Sequence, residues 1–256
     1  MNRIDKLFLE KEKGILNIYC SAGYPELDSL PEILKALQAA GVDMIEIGIP
    51  YSDPIADGPV IQKSNAIALS NGMNISLLFE QLRNCRQYFN LPLILMGYLN
   101  PVLQFGIEQF CKCASKVGVD GIILPDLPIR EYETLYQKHF EDNGLDFIFL
   151  VTPETSEERI RKIDSLSKGF IYGVSSSSTT GGIPVLAKQS EYFEKLQKMD
   201  LRNPVLAGFG ISDRHSFVES SKYTNGGIIG SAYISALEHS TDKTLTTLEF
   251  IRNIRS

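Results

Sequence analysis

Short apolar runs recur eight times along the chain, and helical patterns separate them. The runs are Ile15–Cys20, Met44–Ile47, Leu93–Met96, Gly121–Leu124, Phe147–Leu150, Gly169–Val174, Pro204–Ala207 and Gly227–Ile229. Their apolar character suits strands covered on both faces, as in parallel sheets. Between them, Leu27–Ala40 carries Leu30, Ile33, Leu34 and Leu37 at helical spacing, with Gly41 placed to end the helix. Ile75–Phe89 carries Leu78, Phe79 and Leu82 on one stripe. Ile107–Val117, Arg130–Asn143, Ser156–Ser167 and Ser190–Lys198 continue the series, with Ser156 suited to cap the helix that begins at Glu157. A closing helix is predicted from about Thr241, and the charged N-terminus reads as a short amphipathic helix carrying Ile4, Leu7 and Phe8.

Such an alternation admits a closed barrel or an open doubly wound sheet. The length of 256 residues favours the barrel, which typically takes ~250. No long linker, repeat or low-complexity segment divides the chain. The predicted fold is therefore α/β, a single (β/α)8 TIM barrel over residues 1–256 with an extra N-terminal helix. The widest gap between strands, Pro50 to about Asn74, reads as a long loop at the C-terminal end of strand two, on the catalytic face of a barrel.

Composition narrows the function classes. A net charge of −6 leaves no electrostatic footprint for nucleic acid. No apolar run approaches the ~18 residues of a membrane span, and the charged first residues carry no targeting core, so a cytoplasmic protein is expected. Cys20, Cys85, Cys111 and Cys113 suggest no disulfide framework, and Cys111-Lys-Cys113 lacks a second metal-ligand pair. His139, His215 and His239 stand isolated. No metal is expected. No lysine lies within a predicted strand, which disfavours covalent amine catalysis.

Glu46 is the one charge inside the apolar strand Met44–Ile47, facing opposite to Ile45 and Ile47. A buried carboxyl without a partner tends to hold its proton towards neutral pH, which suits general acid–base work; a glutamate satisfied by hydroxyls or a basic neighbour is the equal alternative. Asp53 and Asp57 follow in Asp-Pro and Asp-Gly contexts that often only mark turns. Strand seven ends in Gly208-Phe-Gly210-Ile-Ser212 and strand eight in Gly230-Ser231. Loops at these two positions of a barrel frequently bind phosphate through backbone N–H groups and a helix N-terminus. The polar run Ser175–Gly182 after strand six reads as a lid or a solvated loop.

Taken together, Glu46-Ile-Gly-Ile-Pro-Tyr-Ser-Asp-Pro-Ile-Ala-Asp57-Gly-Pro-Val-Ile-Gln62 closely resembles the signature of tryptophan synthase α subunits. Ser21-Ala-Gly-Tyr-Pro25, Asp126-Leu-Pro128, Gly208–Ser212 and Gly230-Ser231 fall in family order. The resemblance implies retro-aldol cleavage of indole-3-glycerol phosphate to indole and glyceraldehyde 3-phosphate without a cofactor. It also implies a β-subunit partner in an α2β2 heterotetramer for L-tryptophan synthesis. Residue by residue it implies Glu46 and Asp57 as catalytic, and Tyr172, Thr180, Gly181, Gly210, Gly230 and Ser231 as substrate- and phosphate-binding. Pro50 and Asp53 would lie at the partner interface. One departure stands in the sixth loop, where Ser176 and Ser178 replace an arginine and a glycine of many members. The alternatives are a free-standing indole-3-glycerol phosphate lyase and a non-catalytic activator of a β subunit. A different phosphate-binding barrel, such as a sugar-phosphate isomerase, would leave the Glu46–Gln62 signature unexplained.

Overall fold

The computed structural model describes residues 2–175, 185–208 and 210–256. Among them nine strands form one parallel sheet: β1 Ile15–Ser21, β2 Met44–Gly48, β3 Leu93–Met96, β4 Gly121–Ile123, β5 Asp146–Phe147, β6 Leu150–Val151, β7 Ile171–Val174, β8 Val205–Gly208 and β9 Gly226–Ile229. Their order is β5-β4-β3-β2-β1-β9-β8-β7-β6. The two ends of this order are consecutive in the chain. Ile148 N donates to Ile122 O at 3.0 Å on the β4 side, and Phe149 O accepts from Tyr172 N at 2.9 Å on the β7 side. The predicted fifth strand is thus one extended segment that changes partner midway, and it closes the sheet into a barrel. Every residue of β1 and β2 is buried, as expected for strands with the barrel interior on one face and helices on the other.

The helices agree with the periodicity in most places. The helix read over Leu27–Ala40 forms over Leu30–Ala39, and Ile107–Val117 forms as read. Ser156 caps Glu157–Leu166 by accepting from Arg159 N. Ile129–Glu131 and Gln137–Asp142 are joined by a π-helical turn at Tyr132–Tyr136, so the predicted regular helix Arg130–Asn143 is interrupted. The predicted loop from Pro50 to Asn74 is corrected more substantially, because residues Pro59–Ser70 are helical. Pro59 suits the first turn of a helix. The inward face of this helix carries Ser64 and Asn65 beside Ile61 and Ala68, so an apolar stripe did not reveal it.

The N-terminal end of the barrel is tied down by paired charges. Asp120 accepts from Arg3 Nη1 at 2.9 Å, Arg86 Nη2 at 2.7 Å and Leu93 N at 2.9 Å. Asp43 bonds Lys11 Nζ at 2.7 Å and Leu16 N at 2.8 Å. The helix Arg3–Glu10 begins in a capping box between Asn2 and Asp5, and it inserts fully buried Ile4 beneath Gly121 and Gly169, where added Cβ atoms would meet the Ile4 side chain. Among the described residues, no helix is long and apolar enough to cross a membrane.

Ile4→Ala should therefore cost about 2–5 kcal/mol, the usual range for truncating a fully buried aliphatic side chain. Urea denaturation measures it; a loss below about 0.5 kcal/mol, the scale of a surface change, would show that the helix does not seal the barrel.

Candidate active site

In register, Tyr19 lies opposite Glu46, and Glu46 opposite Ile94. Neighbours in a parallel ladder turn their side chains to the same face, so alternation sends Asn17, Tyr19 and Ser21 of β1 to the barrel axis together with Met44 and Glu46 of β2. Towards the C-terminal end the axis opens into a cavity of about 440 Å3. Its lining includes Tyr19, Glu46, Asp57, Tyr172, Gly210, Gly230 and Ser231, with Ile61, Met96, Ile211 and Ile228 as the apolar wall. Six of the sequence-predicted residues thus come together: Glu46, Asp57, Tyr172, Gly210, Gly230 and Ser231. Thr180 and Gly181, with Ser176, Ser178 and the rest of the run to Gly182, lie outside the described residues. Asp53 is exposed, whereas Pro50 is buried where the chain leaves β2.

Glu46 is fully buried. Its Oε2 accepts from the side-chain amide of Asn17 at 3.1 Å, and its Oε1 has no hydrogen-bond partner. Loss of hydration is the main cause that pushes its pKa up to about 8; the Asn17 bond opposes the shift and the charge of Asp57 adds to it. Asp57 is half-buried at the mouth, just before the helix Pro59–Ser70. Burial pushes its pKa up to about 6, opposed by a hydrogen bond from the Tyr98 hydroxyl. That phenolic oxygen in turn accepts from Ala56 N at 3.0 Å, so Tyr98 fastens the loop that presents Asp57. At neutral pH the pair rests in opposite states, Glu46 protonated and Asp57 ionised, the separation that lets one carboxyl give a proton while the other carries charge.

The cavity owes its aromatic wall to glycines. A Cβ at Gly48 would run into the Tyr19 hydroxyl, and one at Gly208 into the Tyr172 ring. At Gly230 the situation is different, because a Cβ there would only touch Tyr19 at 3.4 Å, an ordinary contact. Gly230 precedes the helix Ser231–Glu238, which has no capping side chain. Its first N–H groups therefore suit an anion. The preceding helix, Arg214–Ser221, is instead capped by Asp213 and Ser216, and Ser212 does not line the cavity.

Sequence reasoning missed Asn17, Tyr19 and Tyr98. A signal existed for the first: Asn17 is a polar side chain inside an apolar strand, the same anomaly that singled out Glu46. Tyr19 and Tyr98 are ordinary strand and loop residues until the register places them.

The family model for the tryptophan synthase alpha chain matches residues 6–254. The tryptophan synthase alpha chain of Flavobacterium johnsoniae is 50% identical over 256 residues, covering 100% of both chains. That of Flavobacterium psychrophilum is 52% identical over 238 residues, 93% of this chain and 94% of its own. Among solved structures, tryptophan synthase subunit alpha from Legionella pneumophila superposes with a TM-score of 0.90 at 32% identity, covering 100% of this chain and 97% of that one. A tryptophan synthase structure from M. tuberculosis gives 0.86 at 28% identity, covering 99% and 98%.

The raised pKa of Glu46 has a consequence for stability. The native state keeps a proton that the unfolded chain releases from its ordinary value of 4.5. The stabilisation is thus complete below about pH 4.5 and is lost as pH rises through about 8. Glu46→Gln removes that loss, so its stability relative to the parent should grow between pH 5 and pH 9 by a few kcal/mol. Urea denaturation at the two pH values tests this, and an equal gap at both would show that Glu46 titrates like an exposed glutamate.

Proposed function

The chain belongs to the tryptophan synthase alpha chain family, and from that premise we propose that it cleaves indole-3-glycerol phosphate with Glu46 and Asp57 as its two working carboxyls. The observation that carries this reading is their convergence, in opposite resting states, on one cavity that also holds an uncapped helix N-terminus. The reaction is the carbon–carbon lyase half-reaction of tryptophan synthase, yielding indole and glyceraldehyde 3-phosphate.

The chemistry follows from the residue types. Protonated Glu46 gives its proton to the indole ring carbon that bears the glycerol chain. Positive charge then develops on the ring nitrogen, and ionised Asp57 stabilises it. The carbon–carbon bond breaks as the adjacent glycerol hydroxyl loses its proton, which Glu46, now ionised, accepts. The carboxyl ends as it began, and neither metal nor redox partner enters the balance. The phosphate sits at Gly210, Gly230 and Ser231, where N–H groups of the helix Ser231–Glu238 face it. Tyr172 flanks the indole. Thr180 and Gly181 complete the site by family correspondence.

We further propose that a β subunit receives the indole, in an α2β2 assembly in the cytoplasm. The segment after β2 supports this arrangement: Asp53 and Ile55 are exposed while Asp57, a few residues on, lines the cavity. A partner that favours the competent placement of Asp57 accelerates the chemistry by population shift.

Turnover of indole-3-glycerol phosphate by Glu46→Gln should fall by about 10²–10⁴-fold, and a folded variant that keeps parental turnover would remove Glu46 from the mechanism. For the parent, kcat/KM should rise with pH through about 6 as Asp57 ionises and fall through about 8 as Glu46 loses its proton. Indole release against added β subunit tests the partner: Asp53→Ala should lower the acceleration more than the basal rate. A parent that does not respond to the β subunit would instead be a free-standing lyase.

A further inference from the structure

Asn17 is buried without solvent contact in the middle of β1. In the ladders it lies opposite Met44 of β2 and Ile228 of β9, so its surroundings in the sheet are aliphatic. A buried amide there is costly unless its polar atoms find partners. Its amide N–H donates to Glu46 Oε2 at 3.1 Å, while its own Oδ1 has no partner. A leucine of similar volume would leave no orphaned oxygen, so the fold alone does not ask for an amide at this position. The feature that does ask for one is the carboxyl above it.

We propose that Asn17 is the positioning residue of the Glu46 carboxyl, holding Oε2 from below and leaving Oε1 as the oxygen that carries the proton and meets the substrate. An oxygen that already accepts an N–H bond is the poorer site for the acidic hydrogen, so the proton resides on the other. The bond also fixes the carboxyl plane, which sets the direction of proton delivery. The same N–H favours the ionised form and opposes the effect of burial, which keeps Glu46 able to part with its proton. The other titratable groups around Glu46 are Asp57 from the loop after β2, Tyr19 and Cys20 from β1, and Tyr172 from β7. From β3 its register neighbour is Ile94, and Met96 lines the cavity. Asn17 is therefore the one neutral donor among the described residues that bonds this carboxyl.

This proposal rests on Glu46 being the acid, and the experiment separates the two. Asn17→Leu and Asn17→Ala are assayed on indole-3-glycerol phosphate over a pH series, each alone and combined with Glu46→Gln. Removing the donor should raise the alkaline limb of kcat/KM by about one pH unit, the size of a lost hydrogen bond to a charged group, and lower kcat about tenfold. In the Glu46→Gln background the same changes should leave the residual turnover unaltered. An alkaline limb that stays in place in a folded Asn17 variant overturns the proposal, as does an equal loss in both backgrounds, which would mark a structural role. Should Asn17→Leu fail to fold, the smaller Asn17→Ala decides by the same criteria. If Glu46→Gln alone keeps parental turnover, the acid assignment itself falls, and with it the proposal.

Discussion

Closing a parallel sheet into a barrel leaves every inward side chain a single destination, the axis, where water is excluded except at the mouth. Most of the inward positions are apolar and simply fill the space. Glu46 cannot. Its carboxyl is fully buried there with one hydrogen bond and one oxygen unpaired, and desolvation decides its protonation state before any neighbour does. Asp57, nearer the mouth and held by Tyr98, remains closer to ordinary acidity. The difference in depth along one axis is what separates the two carboxyls, and the proposed division of labour follows from that separation.

The two ends of the barrel treat charge in opposite ways. At the N-terminal end Asp120 and Asp43 are surrounded by guanidinium, ammonium and backbone N–H donors, an arrangement that spends their charge on joining helices to strands. At the C-terminal end Glu46 has an orphaned oxygen and the helix Ser231–Glu238 begins without a cap. Groups that a fold would ordinarily satisfy are left open where a ligand can satisfy them. Asp146, buried at the start of β5 with Oδ2 unpaired, is an exception at the N-terminal end.

Space at the working end is shaped by absences. Tyr19 and Tyr172 stand in the mouth because positions 48 and 208 carry no side chain. Between the two rings, Ile211, Ile228 and Met96 add an apolar wall. The cavity thus gathers two carboxyls, two aromatic rings and the start of an uncapped helix in one place, the set of groups that the proposed substrate, an aromatic ring joined to a short phosphorylated chain, calls for.

Periodicity in the sequence determined the eight β/α units, because burial on both strand faces and one helix face writes a local pattern, and chain length favoured the barrel over an open sheet. A single charge in an apolar strand likewise marked Glu46, and glycines at successive strand ends marked the proposed phosphate side. The helix Pro59–Ser70 escaped because its inward face is built partly of Ser64 and Asn65, which hides it from any apolar count. Contacts that tune the site depended on tertiary structure alone. Asn17 and Glu46 are 29 residues apart and meet through the β1–β2 register, Tyr98 reaches Asp57 from the end of a different strand, and Gly48 yields to Tyr19 across a ladder. Local pattern fixes which face a residue takes; which residues then share that face at the same height is set by strand register and barrel closure, and those are properties of the whole sheet.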